Sequence, residues 1–306
     1  MEQGGMIMRL LTIHTPKGLK LGVKTTKGIL DVADALEVNP SAVKVPATMK
    51  ELMSAGRNGL SVLDNYMAKM ENEIAEGFFL KENEIKFGPC VPQPGKIIGI
   101  GLNYRGYLKE SNTPRPKFPY IFAKFPSAVR ATGDHIYIPF NSTQVDFEAE
   151  LAIVIGKKAR RVAKEEALDY VIGYCNANDF SARDLQYSTD SWLPGKCCDS
   201  FCPIGPYLVT PDEVGDPNNL SLRAIVNGEL RQNSNTSDMI FSCKELVSAV
   251  SQFFTLEPGD IILTGTPEGI IMTDPEEQRV WLEEGDEIRV EIEKLGSLVN
   301  KMKLEV

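Results

Sequence analysis

Near the start of the chain, apolar and polar residues alternate in short runs, RLLTIHT, KLGVKTT and ILDVADAL, separated by Lys-Gly pairs at 17–18 and 27–28. A period of two marks a strand with one covered face, so residues 9 to 36 predict small strands joined by tight turns. The pattern then lengthens. Thr48-Met-Lys-Glu51 has the spacing of a capping box, and residues 48 to 76 predict two helices broken near Gly56 and Gly59.

Residues 84 to 96, EIKFGPCVPQPGK, hold Pro89, Pro92 and Pro94 beside Gly88 and Gly95. Proline lacks the amide donor and glycine adds backbone freedom, so neither a helix nor a central strand continues through this stretch. A boundary is expected near residue 92, dividing a small N-terminal α+β domain (1–91) from a larger domain (92–306). In the larger part strand-like runs dominate: KIIGIGLN, PYIFAKF, HIYIP, VDFEAELAIVIG, YVIGYCNANDF and LSLRAIVNGELRQ. Asn227-Gly228 is a hairpin signal, because both residues accept the positive φ of a type I′ turn. Helices are expected over 164–170, just after Ser181, and from Ser242 to Phe254, the last opened by Ser242-Cys-Lys-Glu245. The C-terminal runs DIILTGTPEG and DEIRVEIEKLGSLVNKMKLEV read as strands. The fold class is therefore α+β and β-rich, without the strict strand-helix alternation of a doubly wound sheet.

With 306 residues, 42% of them hydrophobic and 25% charged, the chain has enough apolar material for one large core or two smaller ones. A net charge of −9 and the lack of any Lys/Arg-dense run argue against nucleic acid or an anionic membrane surface as partner. No run approaches the roughly 20 apolar residues of a membrane span, and the N-terminus lacks a signal-peptide pattern. Six cysteines are too sparse for a disulfide framework. A cytoplasmic location with reduced thiols is the expectation. Cys197, Cys198 and Cys202 cluster without a Cys-x-x-Cys spacing, and His14 and His135 lie far from them, so a zinc site is not expected.

The acids of VDFEAELAIVIG change the picture. Along a strand Asp146, Glu148 and Glu150 share a face with Ala152 and Val154, which places carboxylates at the rim of something buried. Like charges about 7 Å apart repel as they leave water, and a bound cation relieves the repulsion. A solvated edge strand with paired lysines is the alternative. Asp179, at the end of a strand-like run in NANDFSARD, offers a third oxygen, although Asp179 and Ser181 are also good helix caps. Three carboxylates suit Mg²⁺ or Mn²⁺ better than zinc.

Taken in order, GLNY (101–104), FAKFPSA (122–128), VDFEAELAIVIG (145–156), ANDFSARDLQ (177–186), GKCCDSFCPIGP (195–206), VNGELRQ (226–232), DMIFS (238–242) and LEPGDIILTGTPEG (256–269) resemble the fumarylacetoacetate hydrolase family over about residues 95 to 306. The resemblance implies a mixed β-roll, a homodimer, and Mg²⁺ or Mn²⁺ held by Glu148, Glu150 and Asp179. It also implies a small 2-oxo or 1,3-dioxo acid as substrate, handled through a metal-bound enolate. The activities it implies are C–C hydrolysis, decarboxylation, keto-enol isomerisation or dehydration. Lys196 matches a lysine near metal and substrate, against the alternative of a surface lysine. Arg183, Gln186, Thr266 and Lys124 match substrate-binding positions, with an internal salt bridge as the alternative for Arg183.

Two departures stand out. Where the family commonly carries His followed three residues later by Glu on a lid, this chain has Tyr107 and Glu110. A phenol with a pKa near ~10 is a weaker base at neutral pH than an imidazole near ~6.5. Tyr107 then either packs the lid or shares a helical face with Glu110, which is left to move the proton. The second departure is GIIMTDPEEQRVWLEEGDE, which replaces the usual glycine-valine run and reshapes the pocket mouth. The leading expectation is a metal-dependent hydrolase cleaving a C–C bond in an acylpyruvate-like acid. The alternatives are an isomerase, tautomerase or decarboxylase on oxaloacetate-like acids, or a catalytically silent metal-binding homologue.

Overall fold

The computed structural model describes residues 6–73 and 78–305. Its centre is an eleven-stranded, mostly antiparallel sheet. From one edge its main path runs Gly28–Asp31, Gly18–Thr25, Arg9–Thr15, Cys202–Val209, Val171–Asn178, Ala149–Ile155, Ile261–Leu263, Ile97–Gly101 and Tyr120–Lys124. Within that path Ile261–Leu263 and Ile97–Gly101 run parallel. A second, five-stranded sheet has the order Glu229–Asn235, Ser221–Val226, Glu287–Ile292, Gly296–Leu304 and His135–Ile138. The sheet crosses residue 92 without a break, since Arg9 and Leu10 pair with Val209 and Leu208. The fold is α+β and β-rich, as the strand patterns predict.

Alternation along Ala149–Ile155 decides which layer each side chain joins. Leu151, Ile153 and Ile155 pack with Val247 and Val250 of the helix Cys243–Phe253 and with Ile288, Val290 and Leu298 of the second sheet. Ala152 and Val154 face the opposite layer, with Met49, Leu52, Leu60 and Leu63 of the helix Met49–Glu73. Every residue of this strand is buried, so a register slip by one position would exchange two complete packing layers.

Local signals account for most boundaries. Asn227 and Gly228 take φ of 51° and 84°, closing the predicted two-residue hairpin between Val226 and Glu229. Ser242 and Glu245 form the predicted capping box. The helix from Met49 is kinked at Gly56 (φ 56°, ψ −142°), whereas Gly59 stays helical; residues 74–76 of the predicted pair lie outside the described residues. Two expectations are corrected. ILDVADAL is a strand only to Asp31, and Val32–Val38 is a helix, because the Asp31 carboxylate accepts the amides of Ala33 and Asp34 as its cap. VDFEAELAIVIG is not one strand either. It breaks at Phe147–Glu148, where the Asn178 side chain takes the Glu148 amide at 2.9 Å. Among the described residues no helix is long and apolar enough to cross a membrane.

Candidate active site

Antiparallel register brings the three acids together. Ala149 pairs with Asn178 and Glu150 with Ala177, so one step further Asp179 lies across from Glu148, and its amide donates to the Glu148 carbonyl at 2.9 Å. One carboxylate oxygen from each of Glu148, Glu150 and Asp179 lies within 4.8 Å of the others, and all three residues are buried. Cations hold this cluster in place. Lys196 is 1% exposed and donates to Glu148 Oε2 (2.7 Å) and Asp179 Oδ2 (2.8 Å). Lys124, at the end of its edge strand, donates to Asp179 Oδ1 and to the Phe180 carbonyl. Arg183 is committed throughout: Nε and Nη2 reach Asp146 Oδ2 at 3.0 and 2.8 Å, Nη2 also reaches Glu148 Oε1 at 2.7 Å, and Nη1 reaches Gln186 Oε1 at 2.9 Å.

Two glycines set this geometry. Gly265, at φ 97°, turns its amide onto Glu150 Oε2 at 2.7 Å. A Cβ at Gly195 would meet the Ala182 carbonyl at 2.3 Å and the Gln186 amide nitrogen at 2.5 Å, so only glycine lets the short helix Leu193–Lys196 press against Arg183–Gln186 and deliver Lys196.

The acids do not share their charge equally. Burial, and then the negative charges of Asp179 and Glu148, push the Glu150 carboxyl well above its ordinary range. Burial acts the same way on Asp179, but Lys124 and Lys196 outweigh it and hold that carboxyl low. Lys196 is disfavoured by burial, yet Asp179 and Glu148 raise its pKa and keep it an ammonium. Four carboxylates, counting Asp146, thus face three fixed cations, and the repulsion left over falls on Glu150. Three buried carboxylates with one unneutralised charge fit a hard divalent cation bound through oxygen.

Above the acids opens a cavity of about 450 Å³, lined by Glu148, Glu150, Arg183, Gln186, Lys196 and Thr266 together with aromatic and rim residues. Tyr107 lines it as well, its hydroxyl pushed up to about 12 by burial, with Glu148 adding to the shift and Arg183 opposing it. Glu110 sits elsewhere: it is exposed and accepts the Gly269 amide at 3.0 Å. Lys124 and Asp179 lie beneath the cavity rather than on its wall. Thr266 donates to the Ala149 carbonyl and receives Gln232 Nε2, so it is fixed between strands.

Sequence reasoning passed over several neighbours. Asp146 anchors Arg183 and accepts the amides of Ile271 and Met272 at 2.9 and 3.1 Å; its place beside Glu148 and Glu150 in the strand pattern was its only signal. Gln232 takes the Ala149 amide through its own carbonyl. Tyr187, Trp192, Met272, Thr273 and Arg279 also line the wall, and no periodicity marks them.

Buried acids clamped by cations under a cavity of this size are an arrangement suited to an enzyme site for a small molecule. The family model for the fumarylacetoacetate (FAA) hydrolase C-terminal region matches residues 96–303, and the chain belongs to that family. It is 42% identical over 300 residues to oxaloacetate tautomerase FAHD2B, mitochondrial, of Bos taurus, covering 96% of this chain and 91% of that protein. Among solved structures it superposes on a fumarylacetoacetate hydrolase of Exiguobacterium antarcticum (TM-score 0.78, 30% identity, 97% and 100% of the two chains). It superposes equally on maleylpyruvate hydrolase of Sphingobium sp. SYK-6 in complex with manganese (II) ion and pyruvate (TM-score 0.78, 29% identity, 98% and 100%). The expectation of a cytoplasmic protein does not stand beside these findings, because relatives of 40–42% identity carry mitochondrial in their names. Composition and cysteine usage do not separate these compartments.

Proposed function

We propose that the chain interconverts the keto and enol forms of a small oxo acid of the oxaloacetate type, with Mg²⁺ or Mn²⁺ held by Glu148, Glu150 and Asp179. The observation that carries this reading over hydrolysis is the content of the cavity wall. Hydrolysis of a C–C bond needs a base to activate water, and the wall carries Tyr107, whose raised pKa keeps it a proton donor, where a base would stand. Glu110 is spent on the Gly269 amide outside the cavity. Keto-enol interconversion consumes no water and moves one proton between carbon and oxygen. A divalent ion, when bound, supplies Lewis-acid stabilisation of the charge that develops on the substrate oxygens. The Lys196 ammonium, buried and fixed by two carboxylates, adds a preorganised positive charge beside that position. Tyr107 holds a proton at its hydroxyl for hydrogen bonding to the same oxygens. Trp192 and Phe122 restrict water on one side. The names of curated relatives of 40–42% identity point the same way.

The same reading takes a homodimer as the working unit, supported by the exposed aromatics Phe118 and Phe140; sedimentation at monomer mass would remove that part. The test of the activity offers the purified protein, with Mg²⁺ or Mn²⁺, oxaloacetate and an acylpyruvate. Enol absorbance, carbon dioxide release and diketone loss are followed separately. Accelerated enol decay without carbon dioxide release is the expected result, whereas acylpyruvate cleavage with oxaloacetate untouched would overturn it.

A further inference from the structure

The segment after TGTPEG departs from the family pattern, and it places one cation in the cavity that no carboxylate among the described residues neutralises. Arg183 and Lys196 are consumed by Asp146, Glu148, Gln186 and Asp179. Arg279 also lines the cavity and is half-buried. Its guanidinium makes one hydrogen bond, from Nε to the Asp274 carbonyl at 3.0 Å. The Asp274 carboxylate turns away to Arg231 Nη2 at 2.6 Å. Among the described residues no carboxylate pairs with Arg279, and both of its terminal nitrogens are left with donors to give.

Its position is built rather than incidental. The start of the same segment is docked on the cavity floor, because Asp146, fully buried beneath Arg183, accepts the Ile271 and Met272 amides. Asp146 therefore fixes both Arg183 and the loop that leads to Arg279. The acids are buried while Arg279 is half-exposed, which puts it on the solvent side of the wall. With four carboxylates and three cations in the floor, a divalent ion leaves one positive charge there. Arg279 adds a second on the rim.

We infer that Arg279 recognises the far carboxylate of a dicarboxylic oxo acid and so selects dianionic over monoanionic substrates. This rests on reading the cavity as an oxo-acid site. A guanidinium with its Nε pinned presents its terminal nitrogens as a fork matched to a carboxylate. The near carboxylate and keto oxygen belong to the floor, and the far carboxylate meets Arg279.

The test measures binding by calorimetry to the Mg²⁺-loaded protein and its Arg279→Met and Arg279→Lys variants. Three probes are used: 2-oxoglutarate, 2-oxovalerate, which has a methyl in place of the far carboxylate, and oxalate, which is too short to leave the floor. Arg279→Met is expected to weaken 2-oxoglutarate by about tenfold to a hundredfold, the worth of a hydrogen-bonded charge, while 2-oxovalerate and oxalate are unchanged. Arg279→Lys should retain part of the preference. With oxaloacetate as substrate the Met variant should raise KM more than it lowers kcat. Equal loss for all three probes, or no loss for any, overturns the assignment. If the dianion preference follows Arg279 but enol decay is not accelerated by the wild-type protein, the proposed reaction fails and the recognition role stands.

Discussion

Lys196→Met tests the electrostatics of the floor most directly. The ammonium is almost fully buried, donates to Glu148 at 2.7 Å and Asp179 at 2.8 Å, and lies 5.0 Å from the centroid of the Phe122 ring. Methionine keeps the volume and removes the charge. Asp146, Glu148, Glu150 and Asp179 are then opposed only by Lys124 and Arg183. Stripping one partner from a buried ion pair costs roughly 3–5 kcal/mol, a large share of the about 5–15 kcal/mol that holds a typical domain folded. In the presence of a chelator the urea midpoint should fall accordingly. Because the variant has a more negative floor, Mg²⁺ should bind it more tightly than it binds the wild type. At about a hundred times its Kd the ion returns about 2.7 kcal/mol, recovering much of the loss. The assay is urea unfolding of both proteins, with chelator and with millimolar Mg²⁺. If the variant unfolds with the wild type in chelator, or if Mg²⁺ stabilises both by the same increment, the floor is not the charge-imbalanced cluster described above.

Further outcomes follow from the same geometry. Glu150→Gln should abolish calorimetric Mg²⁺ and Mn²⁺ binding, and Glu148→Ala and Asp179→Ala should do the same; a variant that binds either ion as wild type does removes that residue from the donor set. Gly195→Ala drives a Cβ into the Ala182 carbonyl, so it should destabilise by about 1–3 kcal/mol and weaken turnover by displacing Lys196, read from the melting temperature and enol decay together. The Glu245 carboxyl is held down to about 2 by Lys164 and then Ser242, against burial. Its folded pKa is depressed, so its contribution is full above the ordinary carboxylate value and is lost as pH falls toward 2. Glu245→Gln should cost about 1 kcal/mol at neutral pH and nothing at the acid end, in urea titrations across pH.

How far the site was legible depends on what kind of order each residue belongs to. Glu148 and Glu150 could be read because a period of two is a local rule, and the alanine and valine that follow show the carboxylates entering a buried face. The hairpin at Asn227-Gly228 and the box at Ser242 were legible for the same reason: each is settled within four residues. Asp179 joins them through antiparallel register, which the sequence does not state; its place at the end of a strand-like run offered it as a third oxygen with a helix cap as the alternative, and the family resemblance decided between the two. Asp31 hid a helix start because its strand and cap share one residue, and Asp146 was obscured by the break at Phe147–Glu148. Arg279 shows the limit most clearly. It lies in an irregular loop whose course is set by two backbone amides on a buried carboxylate more than a hundred residues earlier. That no carboxylate among the described residues pairs with it is a property of how Asp274 divides its carbonyl and carboxylate between two arginines. Nothing in the run TDPEEQR distinguishes such an arginine from one paired to the glutamates beside it, so the feature argued to set substrate choice exists only once the loop is folded onto the floor.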